Sequence, residues 1–343
     1  MDRSKIKIER DVWEHSFVEQ FYNREHPIIK HKDVHKNMKD DPNYDEKIEL
    51  IKKCQELVGT TTSTCKKPPL NIAIIGTPGG GKSSLLNTIF ASFSTDCWKE
   101  IVSFGTHGKA DKQFTKRFSS YTKDSYNQSV GDHRLPTFLD MLGFEDDESK
   151  ETLAILEMVF TGRIKELEEM IEVKNYAIKH GVHALLTKYN TRVCHRPVDR
   201  IIVVCTSNCD ENLPTNFLKA VWETAKKHRD IPVYGVLTCR DSHPPNKVEN
   251  KIKEFRHLLA LPQCRFAHIT NYCDAIQVDS GGVHRDTIIP SLDVPVLQFM
   301  KQVLNPRQED PTPEEVSKMD ILSLFAFIFA VMAFVYVLLT SNN

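Results

Sequence analysis

The sequence predicts an α/β protein with a doubly wound, mostly parallel sheet. Strand-like apolar runs alternate with helix-like runs from residue 70 onward, as in parallel sheets covered by helices on both faces. A glycine-rich pattern, GTPGGGKS, occupies residues 76–83 and matches the phosphate-binding G-x-x-x-x-G-K-[ST] sequence. An apolar strand precedes this pattern and an amphipathic helix follows it, which is the context the pattern requires. The predicted fold is therefore that of a P-loop NTPase, GTPase-like.

The individual elements follow from the spacing of apolar residues. Short apolar runs bounded by turn residues predict strands at 70–75, 101–104, 112–119, 136–140, 200–206, 233–238 and 265–269. Apolar residues at helical spacing predict helices at 83–93, 148–173, 216–227, 248–259 and 294–303. Together these elements define a predicted GTPase-like domain over residues 70–305.

Residues 1–69 are predicted to form a helical extension and linker before this domain. Trp13, Phe17 and Phe21 recur at a spacing that lines one face of a helix, and a second helix is predicted over Tyr44–Val58. Two interpretations of the aromatic stripe stay open. It packs on the main domain, or it binds a partner.

The C-terminal part of the sequence predicts a membrane anchor. Ile321 to Leu339 carries no charged residue and shows no polar face, and as a helix it would span roughly 28 Å. We expect an acidic, proline-containing linker at 306–319 and a transmembrane tail anchor at 320–340. The domain would then lie on the cytosolic face of an intracellular membrane. The scarcity of flanking basic residues favours the endoplasmic reticulum over mitochondria.

Composition excludes several other classes of protein. The 343 residues are 40% hydrophobic and 27% charged, as in ordinary globular proteins, and the net charge of −1 gives no reason to expect a nucleic-acid partner. The charged N-terminus does not resemble a signal peptide. Nine cysteines without metal-ligand spacing predict reduced thiols in the cytosol.

The glycine-rich segment supplies most of the predicted nucleotide contacts. Its backbone N–H groups would surround a polyphosphate, Lys82 would pair with the β- and γ-phosphates as a catalytic residue, and the Ser83 hydroxyl would bind Mg²⁺. The following helix directs its positive N-terminal end at the same phosphates. The predicted nucleotide-binding residues here are Gly76, Thr77, Pro78, Gly79, Gly80, Gly81, Lys82, Ser83 and Ser84.

Two further phosphate-side elements are predicted downstream. Asp140, at the end of an apolar strand, would hold Mg²⁺, and Gly143 would offer its N–H to the γ-phosphate. The alternative is that Asp140 caps the next helix. A switch threonine that binds Mg²⁺ and acts in catalysis is assigned to Thr106, with Thr115 as its competitor.

A base-recognition element is predicted after a later strand. The segment TCRD at 238–241 is similar to the [NT]-K-x-D signature of guanine-binding GTPases, with Thr238 and Asp241 as nucleotide contacts. Asp241 would accept hydrogen bonds from guanine N1–H and the 2-amino group. Cys239 occupies the position of the expected lysine. The sequence therefore leaves open whether the base is guanine or adenine, and whether the segment is only a turn after the strand. Asn271 and Tyr272 would approach the base from its other side.

The combination resembles the interferon-induced protein 44 family of GTPase-like immune proteins over roughly residues 70–303. The matching segments are GTPGGGKSSLLNTIF at 76–90, FLDMLGFED at 138–146, GRIKE at 162–166, IIVVCTS at 201–207, GVLTCRD at 235–241 and ITNYCD at 269–274. The missing lysine and the apolar tail depart from that family, and the immunity-associated GTPases are the nearest other family. The resemblance implies a GTPase-type fold and an interferon-induced role in innate or antiviral defence.

The sequence leaves catalysis open. Phe144 lies where GTPases often have a glutamine that positions the attacking water, and it cannot form the necessary hydrogen bond. We therefore expect slow GTP hydrolysis to GDP. Formation of a homodimer through the GTPase domain on the membrane would accelerate it. A non-hydrolysing nucleotide-gated scaffold is the first alternative, and an ATP-dependent kinase or ATPase is the second. GTP or GDP with Mg²⁺ are the expected ligands.

Overall fold

The computed structural model describes residues 38–60, 68–95, 100–103, 117–126, 131–191, 197–240, 242–272 and 288–305. Several predictions lie outside these residues: the aromatic stripe Trp13–Phe21, the switch candidates Thr106 and Thr115, Asp241, and the apolar tail 320–340. Within the residues that the structure describes, no helix has the length and apolar character needed to cross a bilayer.

A six-stranded sheet forms the centre of the fold, in the order β2-β3-β1-β4-β5-β6. The strands are β1 Asn71–Gly76, β2 Ser119–Tyr121, β3 Thr137–Asp140, β4 Arg200–Thr206, β5 Val233–Thr238 and β6 Phe266–His268. Only β2 is antiparallel to its neighbour. The central strands are buried on both faces, which explains their continuous apolar runs. The predicted α/β class with a mostly parallel sheet is confirmed.

Helices cover both faces of this sheet. In chain order they are α1 Tyr44–Val58, α2 Lys82–Ser92, α3 Lys150–Phe160, α4 Met170–His180, α5 Val182–Lys188, α6 Thr215–Lys227, α7 Pro245–Leu258 and α8 Pro290–Leu304. Helices α1, α2 and α8 pack on one face, and α3 to α7 pack on the other. Side chains alternate accordingly along β4, with Ile202 and Val204 facing α2 and α8, and Val203 facing the opposite layer.

Helix α1 follows the bounds predicted for the second helix of the extension. It buries Leu50, Ile51 and Cys54 in the same hydrophobic core as α2 and α8. Part of the predicted extension therefore contributes to the core of the α/β domain.

The single helix predicted over 148–173 is wrong, because the structure contains two helices there. Helix α3 ends where Gly162 adopts a left-handed conformation with φ of 70°. The N–H groups of Gly162 and Arg163 then bond back to the carbonyls of Val159 and Met158, which terminates the helix. Helix α5, after Gly181, was not predicted.

The predicted strand at 101–104 is also wrong over its described part, 101–103. Its backbone bonds to a side chain instead of a neighbouring strand. Asn87 of α2 accepts hydrogen bonds from the N–H groups of Ile101 and Val102, each at 2.9 Å, and donates to the Val102 carbonyl at 2.7 Å. These bonds hold the segment as a loop against α2.

Candidate functional site

The loop between β1 and α2 has the backbone conformation expected of a phosphate-binding loop. Gly79 and Gly81 adopt left-handed conformations, with φ of 72° and 87°, which glycine adopts without steric cost. Gly81 occupies the N-cap of α2, and no side chain caps this helix end. An uncapped helix N-terminus with glycines before it presents backbone N–H groups to an anion.

At two further positions, other backbone atoms approach so closely that only glycine fits. A Cβ atom on Gly76 would lie 1.9 Å from the carbonyl oxygen of Val204 on β4, so no side chain fits there. A Cβ atom on Gly143 would lie 2.4 Å from the backbone nitrogen of Pro78. The Phe144 N–H also donates to the Gly76 carbonyl at 3.0 Å. The segment around Gly143 is therefore packed directly on the glycine-rich loop.

Lys82 lies inside the loop that it is predicted to serve. Its side chain is only 7% exposed, and Nζ donates to the carbonyls of Thr77 at 2.9 Å and Gly76 at 3.3 Å. Burial lowers the pKa of this ammonium group, while the negative charge of Asp140 acts in the opposite direction. The structure therefore holds a buried cation beside the position of the expected phosphates.

The oxygens near this cation fit a magnesium ion. Asp140 is fully buried at the end of β3 and pairs in register with Ile74 of β1, which leads into the loop. Its charge acts on Lys82, so the two side chains belong to one site. A carboxylate and the Ser83 hydroxyl are hard oxygen ligands of the kind Mg²⁺ prefers. They would hold the ion, while Thr106 lies outside the described residues.

Thr238, a predicted nucleotide contact, bonds to the glycine-rich loop. It is fully buried, and its hydroxyl donates to the Gly80 carbonyl at 3.0 Å. A Cβ atom on Gly81 would lie 2.9 Å from the Thr238 hydroxyl oxygen. The Thr238 side chain therefore supports Gly80 and Gly81, and its nucleotide contact stays a prediction.

Asn271 follows β6 and carries a buried amide oxygen. The residue is 7% exposed, and its Oδ1 has no hydrogen-bond partner within the part of the chain that the structure describes. Buried polar atoms are nearly always paired in folded proteins, so this acceptor is a candidate contact for a ligand. Cys239, in the predicted base-recognition segment, has a φ of 60°. Its carbonyl accepts a hydrogen bond from the Ser207 hydroxyl at 3.0 Å.

Tyr272, a predicted nucleotide contact, makes structural contacts in the described residues. Its side chain is fully buried, and its hydroxyl lies 3.1 Å from Oδ1 of Asp293 on α8. Its N–H donates to the Thr88 hydroxyl on α2 at 2.9 Å. Sequence reasoning missed Asp293, although a lone acidic residue in an otherwise apolar helix was a signal that it has a buried partner.

The side chains that follow Gly143 are occupied by structural contacts. Phe144 stacks on Phe217 of α6, with ring centroids 5.2 Å apart and an interplanar angle of 16°. Asp146 Oδ1 accepts from the N–H groups of Asn216 and Phe217 at 2.8 and 3.0 Å and so caps α6. No hydrogen bond of this aspartate is directed at the phosphate-binding loop in the described residues.

The two neighbouring carboxylates are used in the same way. Asp147 accepts from the hydroxyls of Ser149 and Thr152 at the start of α3, at 2.7 and 2.9 Å, and Glu145 pairs with Lys174 at 2.9 Å. The hydrogen bonds lower the pKa of Asp147, although its partial burial acts the other way. All three carboxylates after Phe144 are thus engaged away from the predicted position of the γ-phosphate.

Two of the solved structures that match this chain show a low overall similarity to it. No protein-family model matches the chain, and no curated protein matches it. Toc33 from Arabidopsis thaliana in complex with GDP and Mg²⁺ is 13% identical, with a TM-score of 0.38 over 78% of this chain and 94% of that one. Toc33 with Mg²⁺ and GMPPNP is 13% identical, with a TM-score of 0.36 over 77% and 98% of the two chains. The resemblance to the interferon-induced protein 44 family stays a prediction.

Proposed function

We propose that this chain binds a guanine nucleotide with Mg²⁺ at residues 76–83 and acts as a GTPase-like switch with slow hydrolysis. One observation carries the proposal. The uncapped α2 N-terminus, the buried Lys82 ammonium, the Asp140 carboxylate and the close-packed Gly143 converge on one loop. A cation, a carboxylate and backbone donors together match a magnesium-bound polyphosphate.

Each of these groups has a distinct task in the proposed complex. Lys82 would exchange its bonds to the Thr77 and Gly76 carbonyls for the β- and γ-phosphates. Gly143, against Pro78, would sense the γ-phosphate through its N–H, so that GTP and GDP differ at this contact. When bound, Mg²⁺ would neutralise phosphate charge. Asp241, which lies outside the described residues, would select guanine, and the Asn271 amide would contact the base.

Slow intrinsic hydrolysis follows from the residues after Gly143. Phe144 has no hydrogen-bonding side chain, and the nearby carboxylates cap α3 and α6 or pair with Lys174. A group that positions the attacking water would then come from a second molecule. The proposal includes the tail anchor, which would raise the local concentration of the chain on a membrane. It also includes the role in immune defence.

Nucleotide binding is tested by titrating the full chain, purified in detergent, with fluorescent GTP and ATP analogues in the presence of Mg²⁺. Wild-type protein is expected to bind the GTP analogue more tightly, and Lys82→Ala should lose about 100-fold in affinity or more. Lys219→Ala, which removes an exposed lysine on α6, is the matched control and should bind normally. Equal binding by all three proteins would contradict the phosphate site. A preference for ATP would instead support the kinase or ATPase alternative.

A non-hydrolysing scaffold is the second candidate, favoured by the Phe144–Phe217 stack. The two candidates differ in single-turnover phosphate release from the GTP complex. Slow release that accelerates when the chain is concentrated on vesicles supports the switch. GTP that stays intact under both conditions supports the scaffold.

A further inference from the structure

A buried polar cluster lies behind the candidate site and joins four parts of the chain. It consists of Lys47 on α1, Ser92 on α2, Tyr272 after β6 and Asp293 on α8. Lys47 Nζ donates to Asp293 Oδ2 at 2.8 Å, while the hydroxyls of Ser92 and Tyr272 each lie 3.1 Å from Asp293 Oδ1. All four residues are at most 1% exposed.

Tyr272 connects this buried polar cluster to both ends of the candidate site. Its neighbour in sequence is Asn271, whose buried Oδ1 has no hydrogen-bond partner among the described residues. Its backbone N–H donates to Thr88, whose hydroxyl donates to the Ser84 carbonyl at 2.7 Å in the first turn of α2. A shift of Tyr272 would therefore move the loop that bears Asn271 relative to α2.

Stability alone is a poor explanation for this cluster. Burial raises the pKa of Asp293, with Lys47 acting against it, so the charged pair carries a cost of desolvation. Apolar residues of similar volume often replace such pairs without loss of stability, whereas removing one partner is strongly destabilising. A buried ion pair also requires one defined geometry, which suits a positioning role.

We propose that the buried polar cluster fixes the loop bearing Asn271, and that docking of α1 through Lys47 thereby controls how long a nucleotide stays bound. This inference rests on the proposed nucleotide site. Lys47, Asp293 and Tyr272 are positioning residues in it, because they act through Asn271 and α2. A partner that displaced α1 would shorten the lifetime of the complex.

Paired tyrosine variants give the first test. Dissociation of a fluorescent GDP analogue from the full chain in detergent is followed by stopped flow. Tyr272→Phe removes only the hydroxyl, which bonds to Asp293 and also accepts from the Ile289 N–H at 2.6 Å, and it is expected to accelerate dissociation about tenfold or more. Tyr234→Phe is the matched control, since its buried hydroxyl also bonds to α8, at the Gln302 carbonyl, but lies outside the cluster. Equal rates in these two variants would overturn the proposal.

Variants of α1 test the second half of the inference. Lys47→Met should accelerate dissociation, and combining it with Tyr272→Phe should add little, because both changes act through one cluster. Glu46→Gln is the control, since Glu46 bonds to Gln298 of α8 without touching the cluster. Fully additive effects, or an unchanged rate in folded Lys47→Met, would contradict control through α1. If Lys47→Met does not fold, the tyrosine pair decides.

Hydrogen exchange of the ligand-free chain separates this inference from the proposed function. Tyr272→Phe is expected to lower the protection of the amides at 269–272, and Tyr234→Phe to leave them unchanged. Lost protection in a chain that binds no nucleotide would refute the function while supporting the positioning role. Unchanged protection with normal nucleotide binding would refute the positioning role alone.

Discussion

The phosphate side and the base side of the candidate site are built in different ways. The phosphate side is built mainly from one loop with its glycines and Lys82, and the backbone of Gly143 packs against Pro78 of that loop. The base side depends on side chains far apart in sequence, such as Tyr272 with Thr88 and Asp293. Backbone geometry thus specifies the first, and long-range polar contacts specify the second. Four substitutions test this difference.

The largest effect is expected at Gly143. Its Cβ position is 2.4 Å from the Pro78 nitrogen, so Gly143→Ala must displace backbone on the phosphate side. We expect affinity for a GTP analogue to fall about 100-fold, by titration calorimetry, with a smaller loss for GDP because the γ-phosphate contact is absent there. Gly131→Ala changes a glycine with φ of 58° and open space around it, and it should leave affinity intact. Equal losses for the two nucleotides would remove the γ-phosphate role.

A smaller effect is expected at Asn271 on the base side. Asn271→Ala should weaken GTP binding about tenfold, as expected for one buried hydrogen bond to the ligand. It should not lower the stability of the ligand-free chain in urea, because its Oδ1 has no partner in the described residues. Asn87→Ala is the contrast. Its oxygen accepts two backbone hydrogen bonds, and its loss should cost about 1–3 kcal/mol. Destabilisation of both variants alike would show that Asn271 is structural.

Lys82 gives a third effect with a defined pH dependence. Burial lowers the pKa of Lys82 below its ordinary value of 10.5, so the unfolded chain binds more protons between the two pKa values. Stability of the ligand-free wild type therefore rises with pH in that window. Lys82→Met should lack this rise of stability with pH, because it has no ammonium group to titrate. Urea titrations of both proteins across pH measure the difference; the same rise in the variant would contradict it.

The smallest effect on turnover is expected at Phe144. Phe144→Gln introduces the residue type found in efficient GTPases. The backbone of this segment, however, is held by the Phe144 N–H bond to Gly76 and by the bonds of Asp147 and Asp146 at the starts of α3 and α6. We expect less than about a tenfold rise in single-turnover rate. The lost stack on Phe217 should cost about 1–3 kcal/mol in stability. A rate increase of a thousandfold would show that Phe144 alone limits hydrolysis.

The same difference explains what could be predicted from the sequence. The loop at 76–83 and the central strands were predictable because phosphate binding and burial on both faces impose visible residue patterns. Asn271 and Tyr272 were assigned to one site, yet the structure buries Tyr272 against Asp293. Sequence spacing does not reveal such a contact, because it depends on how α8 packs. The termination of α3 at Gly162 had a local signal, but the helical pattern of the flanking residues obscured it.

The two aspartates after Phe144 have a consequence for how this protein would transmit a nucleotide signal. Asp146 and Asp147 tie one short segment to the beginnings of two helices. A γ-phosphate that bound the Gly143 N–H would therefore displace these helices instead of unfolding a loop. It would move α3 and α6 together as rigid bodies, and the displacement would be largest at their C-terminal ends, away from the nucleotide.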